Sequence, residues 1–429
     1  MTRPRRRRWR AATLAALAAA VGAAALVACG DRSRPEQQEA RVRPVVDSLL
    51  PRLEYLSGLR AVRPIRIGYR TRAQVREYVV RQLDRDLPPP ELGGIQATYS
   101  TLGLIPDTLD LRALLIDLYT EQVGGYYDPE TKTFYTVEGT PRSALRTVLA
   151  HELVHALQDQ HVNLDSLVAR ERGNDRQTAA QAAVEGQATA VMVVVLADRA
   201  AHHPVDPAQL PDLGEQLAPA IEEQNTQFPV YARAPRIIRE TLVFPYLQGA
   251  AFVQELWRDR AAGGPPKNGW PAPLDSLLPQ STEQVMHPDR FVEARDTPTE
   301  LRLGRTPPSP SGWRTRYENT LGELETTIFL EQFLGDSATA DGWDGDRFRL
   351  LEGPGNARAL VWYSVWDRAA AADTFAADYR RVLARRPARR ARVERLEVRG
   401  RPVVRVVDVP VGIEFDAVPV PGVDSLVER

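Results

Sequence analysis

The chain has 429 residues, of which 43% are hydrophobic and 26% are charged. This is the composition of an ordinary globular protein with room for two or three domains. The formal net charge is −1. Because the first 28 residues hold six arginines and no acidic residue, the remaining residues have a net negative charge. That charge gives no electrostatic support for a nucleic-acid partner. The single cysteine excludes intramolecular disulfides and thiolate zinc clusters.

The N-terminus has the features of an export signal. Residues 3–10 are rich in arginine, residues 11–28 are uncharged and rich in alanine, and Leu26-Val27-Ala28-Cys29 resembles the lipobox of bacterial lipoproteins. We therefore expect a lipoprotein signal peptide over 1–28, a lipid on Cys29, and attachment to a membrane at an extracytoplasmic face of the cell envelope. The alternatives are a plain secretory peptide and a marginal transmembrane helix. Residues 29–45, which are mostly polar, are expected to form a tether.

The next segments alternate between helical and strand patterns. Helical periodicity over 46–59, 72–87 and 109–123 predicts three helices, and the alternation over 65–69 predicts a strand. Three consecutive prolines at 88–90 are expected to end the second helix.

A β-hairpin followed by two helices is predicted next. Aromatic-rich arms over 124–137 flank an Asp-Pro-Glu-Thr-Lys turn. Thr140 and Pro141 offer an N-cap and a first-turn proline for a helix running to about Gln158. A second helix over 175–197 is rich in alanine and valine, so it should be largely buried.

The remaining chain predicts a mainly helical α+β protein. Helices are expected over 212–224 and 245–260, and residues 261–316 are rich in proline and irregular. We expect a metallopeptidase-like domain over 46–316 and a small C-terminal α+β domain over 317–429. The latter should contain helices over 321–334 and 367–385 and strands over 348–351, 359–366, 393–398 and 403–409.

The segment His151-Glu152-Leu153-Val154-His155 is an HExxH motif. Residues four apart lie on one face of a helix, so two imidazoles can hold one Zn²⁺ while Glu152 serves as the general base for an attacking water. The apolar flanking residues require this helix to be buried, and buried histidines beside a buried glutamate need a compensating partner. Zinc is that partner, and Glu152 is the candidate catalytic residue.

Two residues compete for the third ligand position. His161 has the spacing of HExxHxxGxxH sites, but those sites turn sharply at a glycine, and Gln158 stands there and disfavours positive φ. Glu185 lies on the next predicted helix, where a lone carboxylate is costly unless it is paired or bound to metal. We favour Glu185, and expect Gly186 and Ala188 to let its helix approach the HExxH helix closely.

These motifs resemble those of the gluzincins, the superfamily of thermolysin and the zinc aminopeptidases. The residues that carry the resemblance are His151–Asp159 (HELVHALQD) and Val184-Glu185-Gly186-Gln187-Ala188. The resemblance implies zinc ligation by His151, His155 and Glu185, a supporting role for Asp159, and a substrate-binding edge strand in the hairpin.

The resemblance also implies a downstream transition-state donor, for which His287 is the candidate, and Tyr126, Tyr127 and Tyr246 are further candidates. The chain is similar as well to a group of uncharacterised bacterial HExxH proteins. The pieces it shares with that group are Gly125–Pro129, the HExxH and Val-Glu-Gly-x-Ala segments, Ser281–Pro288 and Gly342–Asp346.

The expected function is zinc-dependent hydrolysis of peptide bonds in peptide or protein substrates, by an enzyme lipid-anchored in the cell envelope. Two alternatives remain open. One is a zinc-stabilised binding lipoprotein without turnover, and the other is a hydrolase of non-peptide amides.

Overall fold

A computed structural model describes residues 35–167, 173–226, 228–309, 311–336 and 338–427. The protein is a mixed α+β structure in which helices predominate. The longer helices are α1 (Pro35–Ser57), α2 (Arg72–Asp86), α3 (Pro89–Leu102), α4 (Leu111–Gln122), α5 (Arg142–His161), α7 (Asn174–Ala201), α8 (Leu213–Thr226), α10 (Arg236–Arg260), α13 (Gly322–Leu334) and α14 (Ala369–Leu383). The short helices are α6 (Leu164–Leu167), α9 (Pro229–Arg233), α11 (Thr282–Met286) and α12 (Pro288–Ala294).

Within these residues, ten strands form three sheets. They are β1 (Arg66–Arg70), β2 (Gly125–Asp128), β3 (Thr133–Val137), β4 (Glu300–Leu303), β5 (Arg314–Asn319), β6 (Trp343–Glu352), β7 (Arg358–Trp366), β8 (Arg389–Val398), β9 (Arg401–Pro410) and β10 (Val423–Val427). The strand orders are β1-β3-β2, β10-β4 and β5-β6-β7-β9-β8.

The predicted hairpin is present as β2 and β3. The strands are antiparallel, with Tyr127 opposite Phe134, and β1 joins β3 in parallel, so β2 is an edge strand. The Asp128 carboxylate stabilises the turn by accepting hydrogen bonds from the Glu130 amide (2.9 Å) and the Thr131 hydroxyl (2.8 Å). The structure therefore confirms the turn that the sequence predicts.

Helix α7 is the centre of the helical body. It is long and apolar enough to cross a membrane by length and composition, but most of it is buried inside the protein, as in a core helix. Its closest neighbour is α10: a Cβ built on Gly186 would lie 2.1 Å from the carbonyl carbon of Gly249. Gly186 was expected to let α7 approach the HExxH helix closely; it permits close contact with α10 instead.

The five-stranded antiparallel sheet has different partners on its two faces. Alternate residues of β7 point to opposite sides, as strand geometry requires. Leu360 and Trp362 belong to the main core with α13 and α14, whereas Val361 and Tyr363 join a second core beneath β4 and β10. The main core also includes α1, α5, α7 and α10, so the sheet and the helical body share one hydrophobic interior.

Several sequence predictions differ from the structure at element boundaries. The tether predicted up to residue 45 is helical from Pro35 because Val42 packs into the core. The prolines at 88–90 do separate α2 from the next segment, as predicted. That segment is itself a helix, α3, which Pro89 begins, since proline suits the first helical turn.

The region predicted to be irregular also contains regular structure. It holds α11, α12 and β4, and β5 begins before the predicted domain boundary at 316 and runs across it. The strand β4 pairs with β10 near the end of the chain. This pairing links the two predicted domains.

Candidate metal centre

The helix α5 places the two histidines of the HExxH motif on one face. Their Nε2 atoms lie 3.0 Å apart. The helix begins at Arg142. Thr140 was predicted to cap it but does not, because its hydroxyl donates instead to the carbonyl of Gly124 at 2.5 Å. That bond fastens the start of α5 to the beginning of the hairpin.

The helix α7 supplies a carboxylate to the same point. Oε2 of Glu185 lies 3.1 Å from Nε2 of His151 and 3.3 Å from Nε2 of His155. These three residues, here called the histidine cluster, could hold a metal ion. Both histidines are 1% exposed, and Glu185 and Glu152 are 0% exposed.

The competing ligand candidate lies elsewhere. His161 is the last residue of α5, and its Nε2 donates to the carbonyl of Arg60 at 2.7 Å. Because Gln158 continues the helix, His161 is carried round the axis and away from His155. The structure brings Glu185, and not His161, to the two histidines.

The geometry and the unsatisfied atoms of the histidine cluster both fit a cation. Tetrahedral ligands about 2.0–2.1 Å from a zinc ion would stand about 3.3 Å apart, close to the 3.0–3.3 Å measured here. Oε1 of Glu185 is buried without a hydrogen-bond partner. A buried carboxylate oxygen without a partner is costly, so the cluster is incomplete without a further group.

The charges of the histidine cluster also fit a bound cation. Burial lowers the pKa of His151. Burial would also lower the pKa of His155, but the carboxylate of Glu185 raises it to about 9. The two imidazoles in turn lower the pKa of Glu185 against the effect of burial. The Glu185 carboxylate is therefore ionised beside a protonated imidazole, and a metal cation that displaced this proton would supply the same positive charge.

Gln158 holds His155 in a defined orientation, a role the sequence did not reveal. Its Nε2 donates to the carbonyl of Val184 (3.0 Å) and to Oε1 of Gln187 (2.9 Å). Oε1 of Gln158 therefore accepts from Nδ1 of His155 at 2.8 Å. Since Nδ1 carries the proton, Nε2 of the neutral ring presents its lone pair to the histidine cluster. A glutamine three residues after the second histidine is the signal that could have suggested this.

Glu152 stands beside the histidine cluster with one oxygen held and one unpartnered. The backbone N–H of Tyr127 donates to Oε2 at 2.8 Å, whereas Oε1 is buried without a partner. Burial, opposed by His155 and supported by Glu185, raises the pKa of Glu152 to about 8. A carboxyl group with this environment can accept and return a proton near neutral pH.

Asp159 joins the hairpin to α5. Its carboxylate accepts hydrogen bonds from Nζ of Lys132 (2.7 Å) and the hydroxyl of Tyr127 (2.8 Å). Tyr127 is thus engaged at both ends, by its amide with Glu152 and by its hydroxyl with Asp159. Asp159 supports the position of the strand next to the general base.

Among the candidate donors, Tyr246 has its ring beside the histidine cluster, whereas the Tyr127 hydroxyl is bound to Asp159. The ring of Tyr246, on α10, is centred 6.2 Å from that of His151, and burial with the charges of Glu185 and Glu152 raises its pKa well above the usual value, keeping the hydroxyl protonated. Tyr126 instead stacks on Tyr78 at 4.4 Å. His287 hydrogen-bonds Glu323 at 3.0 Å, in a different group of titratable side chains.

The comparisons with known proteins cover only part of the chain. A family model described as a domain of unknown function, DUF8575, matches residues 312–417, which include the whole five-stranded sheet. No curated protein matches the chain. No solved structure matches it either.

Proposed function

We propose that the protein is a zinc-dependent hydrolase of peptide bonds in peptide or protein substrates. The observation that carries the proposal is the meeting of two imidazoles and one carboxylate beside Glu152, whose Oε1 has no partner. A structural zinc site is normally closed by four protein ligands, whereas a catalytic one has three and keeps a position for water or substrate. The two histidines with Glu185, and the adjacent Glu152 with its unpartnered Oε1, match the catalytic arrangement.

Zinc suits the donor set better than other common ions. Two histidine nitrogens with one carboxylate oxygen form a typical catalytic zinc set, whereas Ca²⁺ and Mg²⁺ prefer oxygen ligands alone. When bound, zinc would act as a Lewis acid on the scissile carbonyl and lower the pKa of water.

The surrounding residues supply the proton transfers and the orientation. Oε1 of Glu152 would accept the proton of the attacking water and deliver it to the leaving amine, while the Tyr127 amide holds Oε2 in place. The protonated hydroxyl of Tyr246 would stabilise the developing oxyanion. The mechanism takes no donor from His287, which is bound to Glu323.

Substrate must gain access to a site that is closed in this structure. The histidine cluster and Glu152 are fully buried, so part of the surrounding protein has to move before a peptide can bind. The edge strand β2 would then offer backbone groups to an extended peptide.

The complete burial favours one alternative specifically. A zinc ion held in a closed interior would serve a binding lipoprotein that uses the metal for stability without turnover. The presence of Glu152, whose Oε1 has no hydrogen-bond partner in the protein, favours the hydrolase.

Chelation tests the proposed hydrolase directly. We expect the purified protein to cleave a mixed library of labelled peptides, to lose that activity when a chelator removes zinc, and to regain it when one equivalent of zinc is restored. Metal content and cleavage products are measured on the same samples. Cleavage that persists after the zinc is gone would contradict the proposal, and bound zinc without cleavage of peptides or other amides would favour the binding lipoprotein.

We also propose that the protein is anchored to an envelope membrane through a lipid on Cys29. The predicted signal peptide and Cys29 lie outside the described residues, so the proposal rests on the lipobox-like sequence. Cys29→Ser should abolish labelling by palmitate and release the protein from membranes, because the chain has no other cysteine to accept the lipid. A variant that stays on membranes, with an unlabelled parent, would instead indicate a helical anchor.

A further inference from the structure

We propose that Glu283, Asp296 and Asp367 form a binding site for a calcium ion, separate from the histidine cluster. The three residues, here called the acidic cluster, come from different parts of the chain. Glu283 lies on α11, Asp296 follows α12, and Asp367 follows β7. An ion bound there would join the helical segment before β4 to the five-stranded sheet.

The geometry brings three carboxylates together around one point. One oxygen from each residue lies within 4.8 Å of the others. The backbone at Asp296 is held by Gln284, whose side-chain amide donates to the Arg295 and Asp296 carbonyls. Asp367 is exposed at the rim, whereas Glu283 is only 2% exposed. The acidic cluster is therefore open to solvent on one side, and water can complete the coordination of an ion.

A buried oxygen in the acidic cluster lacks a partner. Oε1 of Glu283 is buried and has no hydrogen bond within the protein. Such an atom normally finds a donor, a water or an ion, because leaving it unsatisfied costs free energy. Its nearest titratable neighbours are acids, so a cation is the partner that also offsets their repulsion.

The electrostatic surroundings of Glu283 contain more negative than positive groups. Burial and the charges of Glu323, Asp296, Asp367 and Asp344 raise its pKa to about 11. A bound divalent cation would offset this excess of negative groups.

Four nearby cationic groups are paired with other acids. In the described part of the chain, Arg290 and Arg368 form ion pairs with Asp341 at 2.9 and 3.2 Å. Arg401 pairs with Asp344 at 3.4 Å, and His287 pairs with Glu323 at 3.0 Å. Partial burial and the neighbouring acids raise the pKa of Asp367 to about 6, although Arg290 and Arg368 oppose this rise. These pairs flank the acidic cluster without filling it.

Calcium fits this donor set. All three donors are carboxylate oxygens, which hard cations prefer, and there is no histidine among them as zinc would favour. Calcium–oxygen distances of about 2.3–2.6 Å allow two ligands on opposite sides of the ion to stand about 4.8 Å apart. Magnesium requires about 2.0–2.1 Å in a near-ideal octahedron, whereas the more variable coordination of calcium suits carboxylates that come from three separate segments.

Thermal unfolding of the full, zinc-loaded protein with added Ca²⁺ tests the proposal. We expect calcium to raise Tm with a midpoint at or below about 1 mM, the range of weak extracellular calcium sites. Glu283→Gln keeps the shape but removes the charge, and should weaken calcium binding at least tenfold by titration calorimetry. Asp367→Asn, at the exposed rim, gives a second variant whose folding is not in question.

The matched control is Glu293→Gln, which removes a charge from an exposed residue of α12, three positions from Asp296. It should respond to calcium like the parent. Zinc content is measured throughout, so that a changed response cannot come from the histidine cluster. The calcium site would be overturned if about 10 mM Ca²⁺ left the Tm of the parent unchanged. It would also be overturned if both cluster variants responded to calcium as fully as the parent, or if Mg²⁺ raised the Tm of the parent as much as Ca²⁺ does.

Discussion

Glu152→Gln is expected to keep the zinc and the fold while losing nearly all hydrolysis. The amide can still accept the hydrogen bond that the Tyr127 N–H donates at 2.8 Å, but it cannot take a proton from water. General-base groups contribute on the order of 10²–10⁴-fold, so kcat/KM on the best peptide substrate should fall by at least about 100-fold. Zinc stoichiometry should stay at that of the parent.

The matched control for this variant is Glu215→Gln, which makes the same change at an exposed position of α8. It should retain the activity of the parent. Parental kcat/KM in Glu152→Gln would remove Glu152 from the mechanism. If the parent and the variant both bind zinc and neither hydrolyses the substrate, the binding lipoprotein is favoured.

The pH dependence of unfolding gives an independent reading of Glu152. Its pKa in the metal-free fold is raised from 4.5 to about 8, so the folded state resists its ionisation. The free-energy cost to folding is absent below about pH 4.5, grows as pH rises, and is fully present above about pH 8. Metal-free Glu152→Gln should therefore gain Tm relative to the metal-free parent as pH rises from 5 to 8. This gain would show that the carboxylate is retained at a cost to stability.

The parts of the site that local sequence rules govern could be predicted. The spacing of His151 and His155 requires one helix face, and the hairpin turn follows from local residues around Asp128. A carboxylate on the alanine-rich helix needed a buried partner, which pointed to Glu185. Each of these inferences uses residues a few positions apart or one strong energetic penalty.

Features that depend on distant segments could not be predicted. Gly186 lies in a helix rich in alanine, which would suit close contact with either neighbouring helix, and only the packed structure shows that Gly249 on α10 faces it. The pairing of β4 with β10 joins segments separated by more than a hundred residues. Both features were missed because tertiary packing, rather than local propensity, decides them.

The contact between Gln158 and Gln187 is a further feature that the sequence could not predict. Each glutamine is unremarkable in its own helix, and their role depends on the carbonyls of Val184 and Ser57, which accept their donors. Amide side chains can be oriented only once all their partners are known. The same reasoning applies to the acidic cluster, whose three members lie in separate segments.

The choice of third ligand predicts opposite outcomes for two alanine variants. Glu185→Ala removes the carboxylate that lies 3.1 and 3.3 Å from the two histidine Nε2 atoms, leaving two imidazoles in a buried cavity. Loss of a hydrogen-bonding partner outside the ligand set typically weakens metal binding about 10–100-fold, so loss of a ligand itself should exceed about 100-fold. Hydrolysis should disappear with the metal.

His161→Ala is the matched variant, because it removes a candidate ligand from the same region without touching the histidine cluster. It breaks only the hydrogen bond to the Arg60 carbonyl, a loss of about 1 kcal/mol, and should keep parental zinc and parental kcat/KM. Zinc affinity is measured by competition with a chromophoric chelator, and circular dichroism establishes that both variants are folded. Zinc lost from His161→Ala but retained by Glu185→Ala would reverse the ligand assignment, because the carboxylate would then be a buried partner of the histidines and not a ligand.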